Sequence, residues 1–476
     1  MTDHAKKLPA DCPLAARRML LKTGMAGVLG ASLADMLAIE TLAAGAGGKS
    51  PVGKAKNILV VLEQGGMSHL DTWDPKPEMA AEHRSPFKPV QSNVPGMQFT
   101  ELLSKTARVA DKLAVVRSMF HPKPGANGHP KGTQYMLSGS IPGGPIEMPD
   151  IGSIVARIQG TQASYLPPYI MVPGNSEQAK ESRSGFLPAG FRVFKTGGRN
   201  LADPKWKVDN LGLSRLTVEQ FAERRDLLSK LNGARPSDAA EATAMQTLRE
   251  RAADMLTSPK TQAAFKLSDE PQKIREQYGK DHRGSCYLLG RRLIEAGVRF
   301  VTVDVRWPKV KEFPGGTNLN WDHHDFIYAK GTCNLPGAGG GGRGRRGIAT
   351  WEMMGSTDQA FAALIEDMHQ RGLLKETLVC FITEFGRTPK INKHKGRDHW
   401  TNAYSIAFAG AGVPGGQIIG RSDKVGGFVA DDPHTPEDYA ATIYQKLGID
   451  RTRPLYTASR RPIFIGHEGK AISQLF

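Results

Sequence analysis

Five short stretches of this chain gather the residue types that can hold a cation or move a proton. Met67-Ser-His-Leu-Asp-Thr-Trp-Asp74 offers His69 and Asp71, and Asn127-Gly-His-Pro-Lys-Gly-Thr133 offers His129 and Lys131. Trp321-Asp-His-His-Asp325 packs two carboxylates and two imidazoles together, with Asp322 and His324 the candidate ligands. Thr383-Glu-Phe-Gly-Arg-Thr-Pro389 adds Glu384 and Arg387, and Gly396-Arg-Asp-His-Trp400 adds Asp398 and His399. Carboxylate oxygen and neutral imidazole nitrogen are the ligands that zinc prefers, whereas calcium or magnesium favours the oxygens. Arg387 suits bidentate contact with a phosphate or sulfate, with Lys131 as a second cation, although Arg387 can equally pair with Glu384. His129 can serve as acid, base, nucleophile or metal ligand, or simply as a capping residue. Each stretch alone also reads as a polar turn or solvated loop; together they argue for one site, because surface solvation would scatter them. The chain has no G-x-S-x-G elbow, no phosphate-binding P-loop and no HExxH helix.

The elements that must position these residues alternate in type. Asn57 to Leu62 is a short apolar, β-branched run ending in Glu63-Gln64-Gly65-Gly66, which predicts a buried strand feeding a tight loop. Leu113 to Val116, Tyr169 to Val172, Val298 to Val305, Thr377 to Thr383 and Tyr404 to Ala409 repeat the pattern. Val218 to Leu231, Ala239 to Leu256, Gln272 to Ala296 and Thr357 to Arg371 carry apolar residues at helical spacing. Alternating strands and helices predict an α/β fold with a mostly parallel sheet covered on both faces, whose ligands gather beyond the carboxyl ends of the strands. Gly337 to Gly347 reads as a glycine- and arginine-rich inserted loop.

Arg17-Arg18, a weakly apolar stretch from Met25 and Ala44-Gly45-Ala46 have the layout of a cleavable twin-arginine signal. Asp35 and Glu40 interrupt the apolar stretch well before the roughly 20 residues of a membrane span, and no later segment could span one. The expectation is therefore a leader over 1–46 and a single domain over 47–476, exported to the periplasm or beyond through the twin-arginine machinery. The chain has 476 residues and a net charge of +16, but the charge is dispersed and partly confined to the leader and the inserted loop. Charge thus gives no argument for a nucleic-acid partner. Cys12, Cys286, Cys333 and Cys380 do not form a disulfide pattern, and Cys380 sits in an apolar strand.

SHLDTWDPKP from Ser68, HPKGTQYMLSG from His129, WDHH from Trp321 and RGLLKETLVCFITEFGRTPKIN from Arg371 resemble the bacterial domain of unknown function 1501 family. GRDHW from Gly396, GGQIIGRSDKVGG from Gly415 and TPEDYAATIYQKLGID from Thr435 extend the resemblance nearly to the end. It implies a three-layer fold of the sulfatase and alkaline phosphatase type, with a metal at the strand ends. In that resemblance Asp322 and His324 look like ligands of one metal, Glu384 lies where the superfamily has an aspartate and histidine pair, and Asp398 or His399 looks like the late histidine ligand. The chain also departs from the pattern. His129 stands at the position of the usual serine, threonine or cysteine nucleophile, and Glu63-Gln64 replaces the aspartate that directly follows the first strand, leaving Glu63 or Asp71 as substitutes.

Two functions follow as expectations. The first is a metal-dependent hydrolase of phosphate or sulfate esters, on a substrate such as an anionic polysaccharide, with His129 catalytic, Lys131 and Arg387 on the anion, and metal ligands drawn from His69, Asp71, Asp322, His324, Glu384, Asp398 and His399. The second is a non-catalytic, metal-containing scaffold that holds an anionic glycan or a protein partner.

Overall fold

Asn57–Glu63 (β1) carries the unbroken apolar run Ile58 to Leu62 and is buried on both sides, as a central strand of a covered parallel sheet must be. Ile58, Val60 and Leu62 enter one core, Leu59 and Val61 the other. The computed structural model of the chain describes residues 53–174, 182–198, 200–208, 211, 213, 216–232, 249–250, 252–305, 321–322, 324, 328, 356–466 and 468–476. The leader, the glycine- and arginine-rich loop, most of the segment 239–256, His323, Asp325, Cys12 and Cys333 lie outside them.

The other strands of the main sheet are Ala114–Met119 (β2), Tyr169–Val172 (β3), Phe194–Lys195 (β4), Phe300–Val305 (β5), Thr377–Ile382 (β6), Tyr404–Ala409 (β7) and Gln417–Ile419 (β8). Their spatial order is β8-β2-β7-β6-β1-β5-β3-β4. Seven run in one direction, and β7 alone is antiparallel to its neighbours β6 and β2. All five strands expected after the first are present; β4 and β8 are too short to leave a periodic signal.

Helices cover both faces. His129–Ser138 (α1), Ile151–Gln159 (α2) and Pro436–Lys446 (α5) pack Met136, Ile154 and Ile443 into the core that receives Ile58 and Val60. His282–Glu295 (α3) and Ser356–Gln370 (α4) pack Leu289, Leu293, Phe361 and Ile365 into the other. The architecture is thus the expected three-layer α/β fold. The long helix expected from Gln272 to Ala296 is two helices, Gln272–Tyr278 and α3. Gly279 separates them at φ +102, and the Asp281 side chain restarts the ladder by accepting from Gly284 N at 2.9 Å.

The chain divides into two compact units, and the larger, Ser50–Ala222 with Arg251–Phe476, holds the sheet and α1 to α5. In the smaller, Leu227 and Leu228 of the helix Val218–Asn232 are exposed. Among the described residues no helix is long and apolar enough to cross a membrane, and Cys286 and Cys380 are free and buried.

Candidate metal centre

The carboxyl ends of β1, β2, β5 and β6 meet the amino end of the reversed strand β7 at one rim of the sheet. β1 delivers Gly65 and Gly66, β6 delivers Thr383 to Arg387, and α1 opens on His129. Gly386–Arg387 pairs with His399–Trp400 in a two-residue hairpin that leads into β7. Residues that precede a strand in sequence therefore join residues that follow one. Trp321 and Asp322 are fixed by the Trp321 amide on Gln64 O at 3.1 Å and its indole on Glu63 Oε2 at 3.0 Å. Gly65 permits this approach: at φ +105, a Cβ there would lie 2.4 Å from Asp322 N.

Three imidazoles converge on Asp322 Oδ1. His324 Nε2 lies 3.1 Å from it, His129 Nε2 3.2 Å and His399 Nε2 3.5 Å. Two of these nitrogens, His324 Nε2 and His399 Nε2, are 3.0 Å apart. On the far side of each ring Nδ1 meets an oxygen: Glu384 Oε1 at 2.7 Å for His129, Asp398 Oδ1 at 3.0 Å for His324, and Asn127 O at 2.7 Å for His399. Carboxylate and carbonyl oxygens only accept, so they assign the ring hydrogen to Nδ1 and turn each Nε2 lone pair toward Asp322. His129 Nε2 is buried and makes no well-angled hydrogen bond. Lone pairs facing one another and a carboxylate need a cation or protons between them.

The charges agree. Asp322, Glu384 and Asp398 against Arg387 leave two negative charges at the site, the complement of one divalent ion. Without that ion, protons take its place. Burial resists charge on His129, but the carboxylates of Asp322 and Glu384 beside its two ring nitrogens outweigh it and push its pKa up to about 9. The Asp322 hydrogen bond likewise raises His324 against its burial. Burial and then the three imidazoles act oppositely on Asp322, and the imidazoles with Arg387 hold its carboxyl far below the usual range. Burial opposes ionisation of Glu384 too, and His129 overcomes it, keeping the carboxyl below its ordinary value. His399 is lowered by burial, with Arg387 and His129 adding to the effect.

An ion with bonds of about 2.0–2.1 Å to nitrogen places tetrahedral ligand atoms about 3.3 Å apart, close to the observed spacings. His129, Asp322 and His399 have their ligand atoms within 4.8 Å of one another, and His324 adjoins two of them. Each ring is also held from behind by an oxygen, the arrangement that orients metal-bound histidines. The donor set fits a zinc-like ion.

The other expected residues fall around this group rather than in it. Glu384 is one layer back, its Oε1 accepting from His129 and from Gly65 N at 2.8 Å, and its Oε2 from Thr383 Oγ1 at 3.1 Å. Asp398 stands behind His324 in the same way. Arg387 is buried, with donors on Gly66 O at 2.9 Å, Arg397 O at 3.0 Å, Trp321 O at 3.2 Å, Asp322 Oδ1 at 2.8 Å and Gly65 O. Its Nη1 lies 3.4 Å from His324 Nε2. With its fork so engaged, Arg387 orients Asp322 instead of facing solvent. Asp71 accepts from Ser85 Oγ at 2.6 Å and Tyr328 OH at 2.5 Å, with Arg397 at 3.4 Å. His69 is buried, with Nε2 on Gly426 O at 2.8 Å. Glu63 is taken by Arg283, Tyr287 and Trp321. Lys131 is exposed on α1.

Sequence reasoning missed the Asn127 carbonyl, the Gly65 amide and Phe385. Phe385 is fully buried, and its ring centroid lies 5.1 Å from that of His129 and 4.6 Å from that of His399, forming an apolar wall. Backbone atoms carry no sequence signal, and an apolar residue after a strand looks like ordinary core.

Fold and rim together define a three-layer α/β protein with a candidate mononuclear metal centre. The chain belongs to the family described as Protein of unknown function (DUF1501), whose profile matches residues 55–476. No curated protein matches it. Among solved structures it is similar to the phosphonate monoester hydrolase of Agrobacterium radiobacter, at 10% identity and TM-score 0.37 over 88% of this chain and 77% of that one. It is also similar to the lipoteichoic acid synthase LtaP of Listeria monocytogenes, at 11% identity and TM-score 0.34 over 84% and 74%. The sulfatase PsFucS1 of Pseudoalteromonas sp. is similar at 12% identity and TM-score 0.31 over 85% and 75%.

Proposed function

We propose that the protein is an exported, metal-dependent hydrolase of phosphate or sulfate esters, acting on an anionic substrate such as an ester-bearing polysaccharide. One observation carries the reading: three histidines, each tied at Nδ1, aim their Nε2 atoms at a single carboxylate oxygen. His129, Asp322 and His399 would hold the ion, with the fourth position of a tetrahedral site left open beside His324, and imidazole with carboxylate ligands favours zinc over calcium or magnesium. When bound, the ion supplies charge neutralisation at the ester oxygens and a lowered pKa for water. The protein's own groups do the rest. Glu384 and Asp398 keep the proton on Nδ1 of His129 and His324, Arg387 fixes the rotamer of Asp322, and Phe385 keeps water from one side. In this reading His129 is a ligand rather than a covalent nucleophile. The leader with Arg17-Arg18 supports export by the twin-arginine pathway.

A second reading is favoured by one feature: among the described residues the side chains that approach Asp322 Oδ1 are imidazoles and a guanidinium, not a hydroxyl or thiol, and the nearby Thr383 Oγ1 already accepts from Met67 N at 2.9 Å. A metal-containing scaffold that binds an anion without turnover has the same atoms. Elemental analysis of the purified protein followed by aryl phosphate and aryl sulfate assays separates the two. The hydrolase reading expects about one divalent ion per chain and turnover that falls at least ~100-fold in Asp322→Ala and His129→Ala. Stoichiometric metal without turnover supports the scaffold, and protein that takes up no metal sinks both.

A further inference from the structure

Away from the metal centre, the segments Pro75–Pro77 and Arg84–Pro89 enclose a cavity of about 300 Å³, the small end of the range for ligand sites. Pro75, Pro77, Pro86 and Pro89 line it. Proline fixes φ and has no N–H, so these walls are stiff and preformed, with apolar rings set among polar groups. Phe87 forms a further wall and is itself packed against the main core. Ser85 anchors the floor: its hydroxyl donates to Asp71 Oδ1 at 2.6 Å and accepts from Phe87 N at 3.2 Å.

Three cations face this cradle. Lys76 is neutralised by Asp74 at 3.2 Å, a carboxylate it shares with Arg117 at 3.3 Å. Arg84 and Lys88 are exposed, and among the described residues neither side chain has a carboxylate within 4.0 Å. Among the described residues Arg84 reaches Pro77 O, at 3.5 Å. Glu101 is spent on the Lys88 backbone amide, at 3.1 Å. A stiff wall of apolar rings beside two uncommitted cations suits a ligand with a C–H face and one anionic group. The cavity is open on one side, so ring hydroxyls can stay hydrated.

We propose that this cavity binds a sugar ring carrying a tetrahedral anionic ester, with Arg84 and Lys88 on the ester and the prolines and Phe87 against the ring. The site is a binding site only and requires no hydrolysis. Calorimetric titration of the full chain with glucose 6-sulfate at low salt, with chelator present throughout, tests it apart from the metal centre. Saturable binding is expected, weakened about tenfold in Arg84→Ala and in Lys88→Ala, with neutral glucose failing to bind. Absence of saturable binding, or binding indifferent to both substitutions, overturns the proposal. So does inorganic sulfate binding as tightly as the sugar ester, which would mark an adventitious ion only.

Discussion

At the scale of single residues, the centre is a set of nitrogens whose proton positions are dictated from behind. Glu384→Gln keeps the shape behind His129 and removes the charge, so metal affinity should fall about 10- to 100-fold with stoichiometry retained. Competition against a chromophoric chelator reads this, and unchanged affinity would detach Glu384 from the site. Arg387 touches four carbonyls and Asp322 from a buried position. A lysine cannot reproduce that fork. Arg387→Ala strips partners from a mostly buried carboxylate and should cost about 3–5 kcal/mol in urea unfolding, whatever the metal load. A loss under about 1 kcal/mol would show the guanidinium to be dispensable.

At the scale of elements, two junctions set the geometry. The turn after β1 admits Asp322 only because Gly65 lacks a Cβ, so Gly65→Ala should displace Trp321 and Asp322. Loss of stoichiometric metal with native-like far-UV circular dichroism is the expected result. Asp150, the residue that opens α2, is buried, and burial pushes its carboxyl up to about 7 against hydrogen bonds from Ser182, the Arg183 amide at 3.0 Å and Tyr169 at 3.2 Å. A raised folded pKa means the native state keeps a proton that the unfolded chain gives up. Its contribution is complete below about 4 and is lost as pH rises through about 7. Relative to Asp150→Asn, the native protein should therefore lose stability between those values, as thermal midpoints measured across that window would show.

At the scale of the whole molecule, the ligands come from three segments far apart in the chain, so a bound ion cross-links folded elements. Excess zinc should raise the thermal midpoint and chelator should lower it, by a stabilisation near ~2.7 kcal/mol when free metal is about 100 times Kd. A midpoint indifferent to both would mean that no ion binds the folded state in preference to the unfolded one. Three layers around one sheet also explain how the rim stays fixed, because the strands that carry it are buried on both faces.

By itself the sequence determined the strands and the layers. β1, β3, β5, β6 and β7 are dominated by apolar residues and buried along their length, as strands of a sheet covered on both faces must be. It also led to the expectation that His129, Asp322, His324 and His399 gather at one rim, together with His69, Asp71, Glu384 and Asp398, because the segments that carry them fall in the loops between such elements. Tertiary structure alone decided the roles. Asp71, Glu63 and Glu384 look no different from Asp322 in sequence, yet their oxygens are already taken by Ser85 and Tyr328, by Arg283 and Tyr287, and by His129 and Gly65. The reversal of β7, which brings Asp398 and His399 to the same rim, likewise comes from strand pairing. The physical reason is common to both: whether a carboxylate is a ligand or a support depends on which donors reach it, and most of those donors lie hundreds of residues away.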